Sequence, residues 1–215
     1  TLKAAGGKWN TKAKAHLFAG DAADAIENIL MTGEVTVPQD FGFFPTPPNV
    51  AKQAADLAMI GDGMMVLEPS AGRGALAVAA NSAAVGVMVD MHELLPDNHK
   101  ALIDLKLPLS GISEPGDFLQ VEPKPIYDRV LMNPPFDKKR SDIHHVVHAL
   151  KFLKPGGRLV AIMPSGVTFR DDALTRDFRG IVEQRGGSIE TLPEASFKQA
   201  GTMVNTVLVV IPAAA

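Results

Sequence analysis

Between residues 64 and 211, short apolar runs alternate with stretches of helical period, and that alternation leaves few folds open. Met64-Met65-Val66-Leu67 is a continuous apolar run of strand length, and Val85–Val89, Arg129–Met132 and Arg158–Met163 repeat the pattern. Strands that are apolar on both faces need cover on both faces, as in parallel sheets. The intervening segments have helical spacing: Leu76–Ala83, Asn98–Leu105, Ile143–Leu153 and Asp171–Arg185. The third of these is expected to end at Pro155-Gly156-Gly157 and the last at Gly186-Gly187. A weak strand falls near Ile112. Ile189–Leu192 and Val204–Ile211 have no helix between them, so they can pair as an antiparallel hairpin at the sheet edge. The pattern predicts an α/β fold, a mostly parallel sheet with helices on both faces.

Upstream, Asn49 is placed to cap a helix from Val50 to Met59 that stops at Gly61. Residues 38–48 hold four prolines and read as an ordered, extended connector. Asp21 to Leu30 has helical spacing after a polar start. Residues 1–40 therefore read as an N-terminal helical extension and residues 41–215 as the sheet domain.

At 215 residues and 46% apolar content, the chain can bury a real core. With no cysteine it has neither a disulfide scaffold nor a thiolate metal site, which fits a reducing cytoplasm. No apolar run approaches the roughly 20 residues that span a bilayer, and no signal core follows the first lysines. The first residue is not Met, which fits a processed or trimmed chain or a fragment. Net charge is −3, which does not advertise a nucleic-acid binder. The charge is nevertheless uneven. Residues 1–20 carry four lysines and no acid, and residues 134–185 carry ten Lys/Arg against six acids. That distribution suits a basic face and equally an ordinary mixed surface.

In parallel α/β sheets, ligands bind beyond the carboxyl ends of the strands. After the first strand the chain reads Glu68-Pro69-Ser70-Ala71-Gly72-Arg73-Gly74. Small residues there let the backbone approach a ligand closely, and a helix N-terminus follows. The turn lacks the third glycine of the dinucleotide fingerprint and the Gly-Lys-Ser/Thr of a P-loop. Glu68 would repel a pyrophosphate, so a ligand carrying positive charge fits better. The second strand ends near Asp90 and Glu93, where an acid commonly accepts from ribose hydroxyls. Gly116-Asp117-Phe118 follows the third strand, and Asp117 could accept from an adenine amino group.

Asn133-Pro134-Pro135-Phe136 directly follows the fourth strand. Its two prolines stiffen the backbone and remove two N–H donors. What remains is a set of acceptors: the Asn133 carboxamide oxygen and the carbonyls of Asn133 and Pro134. Such a cluster suits a neutral amino group with two hydrogens to give. Phe136 offers a flat face on which a planar base can stack.

Together these segments resemble the class I S-adenosylmethionine-dependent methyltransferases, and closest the Asn-Pro-Pro-type adenine-N6 DNA methyltransferases, over about residues 40 to 211. The resemblance implies a Rossmann-like seven-stranded sheet with an antiparallel last strand. It implies S-adenosyl-L-methionine as cofactor, held by Thr46, Pro47, Glu68, Pro69, Ser70, Ala71, Gly72, Gly74, Glu93, Asp117, Phe118 and Asn133. Asn133, Pro134, Pro135 and Phe136 look like the catalytic motif. Phe44-Pro45-Thr46-Pro47 resembles the segment over the methionine end, with Thr46 near its carboxylate. Ala195-Ser196-Phe197-Lys198 resembles the late motif at the edge of the target pocket. Target binding is implied for Phe44, Phe197 and Lys198. Lys138, Lys139 and Arg140, just past the motif, could hold the phosphates of a flipped strand. The whole chain, including Gly7–Lys14, is also similar to a phage- and plasmid-associated group of small methyltransferases.

The expected partner is nucleic acid, DNA first, with no membrane and no metal. A separate target-recognition domain is not expected, so recognition falls to residues 1–40, the loops, or a partner or second copy. Two readings stand beside this one. The first is methylation of an amino group in RNA or of a protein glutamine. The second is a non-catalytic, cofactor-binding module of anti-restriction or regulatory kind. His144 and His148 are four apart on a predicted helix, but no carboxylate stands at a spacing to complete a metal site. Trp9 with Lys8, Lys12 and Lys14 could stack on and clamp nucleic acid, or anchor residues 1–20.

Overall fold

The computed structural model describes residues 8–17, 44–137, 140–200 and 204–214. The chain divides into two units, Thr1–Phe43 and Phe44–Ala215. In the first, β1 (Lys8–Asn10) and β2 (Ala15–Leu17) pair antiparallel, with Trp9 opposite His16. Asn10 Oδ1 accepts from the Ala13 amide at 2.8 Å inside the turn between them. The sequence pattern carries no cue for this ladder, because each strand is only three residues long. The helix expected over Asp21–Leu30 lies outside the described residues.

The second unit is built on seven strands: β3 (Met65–Glu68), β4 (Met88–Met91), β5 (Ser110–Ile112), β6 (Tyr127–Met132), β7 (Leu153–Pro164), β8 (Ser188–Thr191) and β9 (Thr206–Pro212). They lie in the order β5-β4-β3-β6-β7-β9-β8. Only β9 runs against its neighbours; it enters between β7 and β8. The expected mostly parallel sheet with an antiparallel last strand is the sheet that forms.

Around it stand α1 (Pro48–Ala58), α2 (Ala75–Asn81), α3 (Pro96–Asp104), α4 (Ser141–Ala149), α5 (Gly166–Phe169) and α6 (Ala173–Gln184). The apolar runs divide by period two between two cores. Leu131, Val160 and Ile162 join one core, with Val50, Ala54 and Ala58 of α1, Leu76 of α2 and Leu102 of α3. Val130, Met132, Leu159, Ala161 and Met163 join the other, with Ile143 and Val146 of α4 and Phe178 of α6. Each large apolar side chain sealed in this way contributes about 1.5–3 kcal/mol.

The sequence expectations shift at several boundaries. The α1 cap is Pro47, with no side-chain bond, and Asn49 lies inside the helix. Proline suits the first turn because its φ is already helical and the N–H it lacks would have had no partner. The helix ends at Met59 (φ +53), ahead of Gly61. The second strand of the sheet starts at Met88, since Val85 is exposed and its amide goes to Asp62 Oδ1 at 2.8 Å. The fourth helix stops at Ala149, and a single 3-10 turn leads straight into β7 at Leu153. Pro155-Gly156-Gly157 therefore lies within that strand. Pairing shifts between Tyr127↔Leu153 and Arg129↔Arg158, so the ladder absorbs the extra residues as a bulge. The short helix α5 has no counterpart in the sequence pattern.

One tertiary link bears on the site. Arg129 Nε donates to the Ala58 carbonyl at 2.5 Å and Nη2 to the Met59 carbonyl at 3.0 Å; Arg158 Nη1 donates to the Leu57 carbonyl at 3.1 Å. Two sheet arginines thus take the free carbonyls at the end of α1 and tie it to β6 and β7.

Candidate active site at the strand ends

The turn after β3 closes with Gly72 at φ +55 and Gly74 at φ +83. A β-carbon on Gly74 would sit 2.4 Å from Leu105 Cδ1 and 3.0 Å from Leu102 Cδ2. Hydrogen bonds between main-chain groups join this turn to the next two. His92 N donates to Glu68 O at 3.0 Å, Ala71 N to His92 O at 2.9 Å, and Gly116 N to Glu93 O at 3.0 Å. Glu93 itself is buried. Its Oε2 accepts from the Gly72 amide at 2.6 Å and its Oε1 from the Leu95 amide at 2.7 Å. Asp90, the other acid near the end of this strand, lies within β4 and accepts from Tyr127 Oη at 2.9 Å. Of the two, Glu93 is the one bonded to the glycine turn.

Glu68 is 2% exposed, and its Oε2 has no hydrogen-bond partner. Burial pushes its carboxyl well above the usual range; the Ala77 amide opposes this and the charge of Glu93 adds to it. A buried carboxylate oxygen without a partner, beside two glycines, fits the cationic end of a zwitterionic ligand. The Glu93 carboxylate has lone pairs left for hydroxyl donors. These residues fit the group expected from the sequence.

Asn133 follows β6. Its Nδ2 donates to the Phe44 carbonyl at 2.9 Å and to Thr46 Oγ1 at 3.1 Å. A carbonyl can only accept, so the amide nitrogen must face that side. The oxygen faces away, and Oδ1 is buried with no partner. Pro134 is buried, while Pro135 and Phe136 are half-buried. The Phe44 and Phe136 rings stand 6.1 Å apart, tilted by 37°. Two aromatic faces and one oriented acceptor are therefore presented together, on a backbone stretch where proline has removed the donors.

The other expected site residues are spread more widely. Pro69, Ala71, Gly72 and Gly74 are buried in the first turn, Ser70 is half-buried there, and Pro47 caps α1. Asp117 is exposed and accepts from the Leu119 amide at 3.0 Å. Phe118 is buried against His92, His145, His148 and Phe152. Phe197 is fully buried, in the core on which Phe44 and Phe136 pack; Lys198 is exposed. Lys138 and Lys139 lie outside the described residues.

Arg140 is turned into the protein. Its Nη1 donates to Thr175 Oγ1 at 2.8 Å and meets Asp172 Oδ2 at 3.5 Å, and its Nε lies 3.5 Å from Asp142 Oδ1. Asp142 is 1% exposed, and neither of its oxygens has a hydrogen-bond partner. Burial raises the Asp142 carboxyl, against the pull of Arg140. Sequence pattern alone does not reveal this cluster. Its one local cue is Asp172 as a helix cap, which accepts from the Thr175 amide at 3.0 Å. Among the described residues, no three His, Asp or Glu side chains stand together as a metal site requires. No described helix is long and apolar enough to cross a membrane.

The fold is the Rossmann-like fold of the class I methyltransferases. Three solved structures share this fold. One is the modification subunit assigned to a type I restriction enzyme of Vibrio vulnificus: 17% identity, TM-score 0.65, covering 94% of this chain and 52% of that one. The second, from Listeria monocytogenes, is assigned to the class I S-adenosylmethionine-dependent methyltransferases: 16% identity, TM-score 0.65, 86% of this chain and 64% of that one. The third is a Pyrococcus horikoshii protein assigned as an RNA methyltransferase: 17% identity, TM-score 0.65, 90% of this chain and 100% of that one. The chain thus spans 52% and 64% of the first two proteins. No protein-family profile matches it, and no curated protein does.

Proposed function

We propose that this chain is an S-adenosylmethionine-dependent methyltransferase acting on an exocyclic amino group, that of adenine in DNA. The observation that carries the reading is the partnerless, buried Oδ1 of Asn133, with its direction set by Phe44 and Thr46. An amino group donating one hydrogen to Oδ1 and one to the Pro134 carbonyl is drawn toward tetrahedral geometry. Its lone pair is then free to attack. Phe136 and Phe44 supply faces for a planar base. Glu68 and Glu93 would hold the cofactor at its amino and ribose ends, and Thr46 its carboxylate. When bound, the cofactor supplies a methyl group on a sulfonium, so the departing thioether is neutral. The chain's part is alignment, and holding reactants in line is worth about 7–11 kcal/mol in small-molecule reactions. The nitrogen that takes the methyl becomes cationic and loses a proton to solvent.

The type I modification subunit among the neighbours favours DNA as the target. That setting is the cytoplasm of a bacterial or phage-infected cell. Tritiated cofactor incubated with DNA, RNA and protein in parallel tests the reading, with digestion of the labelled polymer to nucleosides. N6-methyladenine from DNA is the expected product. Label in RNA or protein alone overturns the DNA assignment, and label in none points to a binding module.

A further inference from the structure

The chain is acidic overall, yet its first 20 residues carry four lysines and no acid. Within that stretch lies the β1–β2 hairpin. Asn10 holds its turn through the Ala13 amide. The turn presents Thr11, Lys12, Ala13 and Lys14 to solvent. Lys14 sits at φ +52, a left-handed position that bends the chain at the hairpin tip. On β1, Trp9 is 55% exposed, and it is the one tryptophan of the protein. A short ribbon with two solvated lysines at its tip and an indole on its shaft has the chemistry of a nucleic-acid contact. Lysines release counterions from phosphates. An indole stacks on any base. A two-stranded ribbon is also narrow enough for the major groove.

We propose that the hairpin of residues 8–17 is a docking element for DNA, with Lys12 and Lys14 on backbone phosphates and Trp9 in contact with a base or sugar. This deepens the proposed function by giving the substrate a second point of attachment, in a unit separate from the methyltransferase sheet. It draws on nothing in the Asn133 site.

The single tryptophan makes the test direct. Intrinsic fluorescence of the full chain is titrated with a DNA duplex and with RNA of the same sequence, across about 50–200 mM salt. Trp9 emission is expected to change saturably with DNA. A Lys12→Glu/Lys14→Glu double variant should bind at least tenfold more weakly at low salt. Its slope of log affinity against log salt should fall by about 2, close to one for each phosphate lost. The variant should bind S-adenosylmethionine as before by calorimetry, since neither lysine belongs to the described cofactor site. Unmoved Trp9 emission at saturating DNA overturns the proposal, and so does an unchanged slope in the double variant. Tighter binding to RNA overturns the DNA assignment of the surface. DNA methylation with an unchanged slope would sink the hairpin alone. DNA binding through the hairpin without methyl transfer would sink the proposed activity alone.

Discussion

Asn133 Nδ2 donates to Thr46 Oγ1 at 3.1 Å, joining the end of β6 to a residue 87 positions earlier. Together with the bond to the Phe44 carbonyl, it fixes which way the carboxamide points. The Thr46 hydroxyl, having accepted from Asn133, keeps its own hydrogen to donate. Under the proposed function it would thus serve a cofactor carboxylate and Asn133 at once.

In the proposed reaction, replacing Asn133 with Ala removes the Oδ1 acceptor that would hold the target amine. Methyl transfer should fall by about 10²–10³ or more, the scale seen when an oriented polar group at a reacting centre is deleted. Cofactor affinity by calorimetry should stay close to that of the parent. Equal loss of both would mean that Asn133 serves the cofactor and not the amine.

Thr46→Val keeps the shape of the side chain and deletes the acceptor. Losing this hydrogen bond should cost about 1 kcal/mol in chemical denaturation, and turnover should drop further than stability does. Thr46→Ser keeps the hydroxyl and should recover most of both. If the valine variant turns over at the parent rate, the Phe44 carbonyl alone suffices to orient Asn133.

The strands that are plainest in the sequence, β3, β6, β7 and β9, are those buried on both faces. Their apolar runs are continuous, so pattern alone exposes them. β5 is half-buried throughout and leaves a faint mark. The β1–β2 ladder leaves none, because three-residue strands are too short for a period. Asn133-Pro134-Pro135-Phe136 can be read as an acceptor cluster from residue types, but its orientation depends on Phe44 and Thr46, which only the fold brings near. Arg140 shows the opposite limit. As part of a basic run it looks like a phosphate ligand, and its partners Asp172 and Thr175 lie more than 30 residues on.

Glu68 gives a pH prediction. Its folded carboxyl is raised above the ordinary value of 4.5, chiefly by burial, so the folded state holds a proton that the unfolded chain releases. That contribution to stability is full below pH 4.5 and is lost as pH rises toward the folded value. Ligand-free protein should therefore lose stability as pH rises above the ordinary carboxyl value of 4.5, by up to about 1.4 kcal/mol per pH unit from this group. Glu68→Gln should flatten the slope in thermal melts. A slope that the glutamine leaves untouched would place the titration elsewhere. Binding a cationic ligand beside Glu68 should release a proton, readable as a buffer-dependent binding enthalpy.

Arg140 and Asp142 form a partly buried pair that can be dissected. Arg140→Met leaves the Asp142 carboxylate without its nearest cation, and breaking such a pair costs about 3–5 kcal/mol. Asp142→Asn in the same chain should return much of that loss, since no buried charge then remains. Urea denaturation of the two single variants and the double variant measures the coupling. Strict additivity would show that the pair does not act as one unit.

Gly74 is the position where the turn after β3 crowds a side chain. Its φ of +83 is left-handed, where any other L-residue is strained by about 1–2 kcal/mol. A β-carbon would also meet Leu105 Cδ1 at 2.4 Å, which requires Leu105 to move. Gly74→Ala should then be destabilised by more than the backbone strain alone. Adding Leu105→Ala removes the closer of the two contacts and leaves the one with Leu102 Cδ2 at 3.0 Å. It also leaves the strain, and Leu105 is itself 38% exposed, so its own truncation should cost little. The double variant should therefore be more stable than Gly74→Ala, yet short of the parent by at least the strain. If Leu105→Ala brings no recovery, the contact with Leu105 is incidental to the cost.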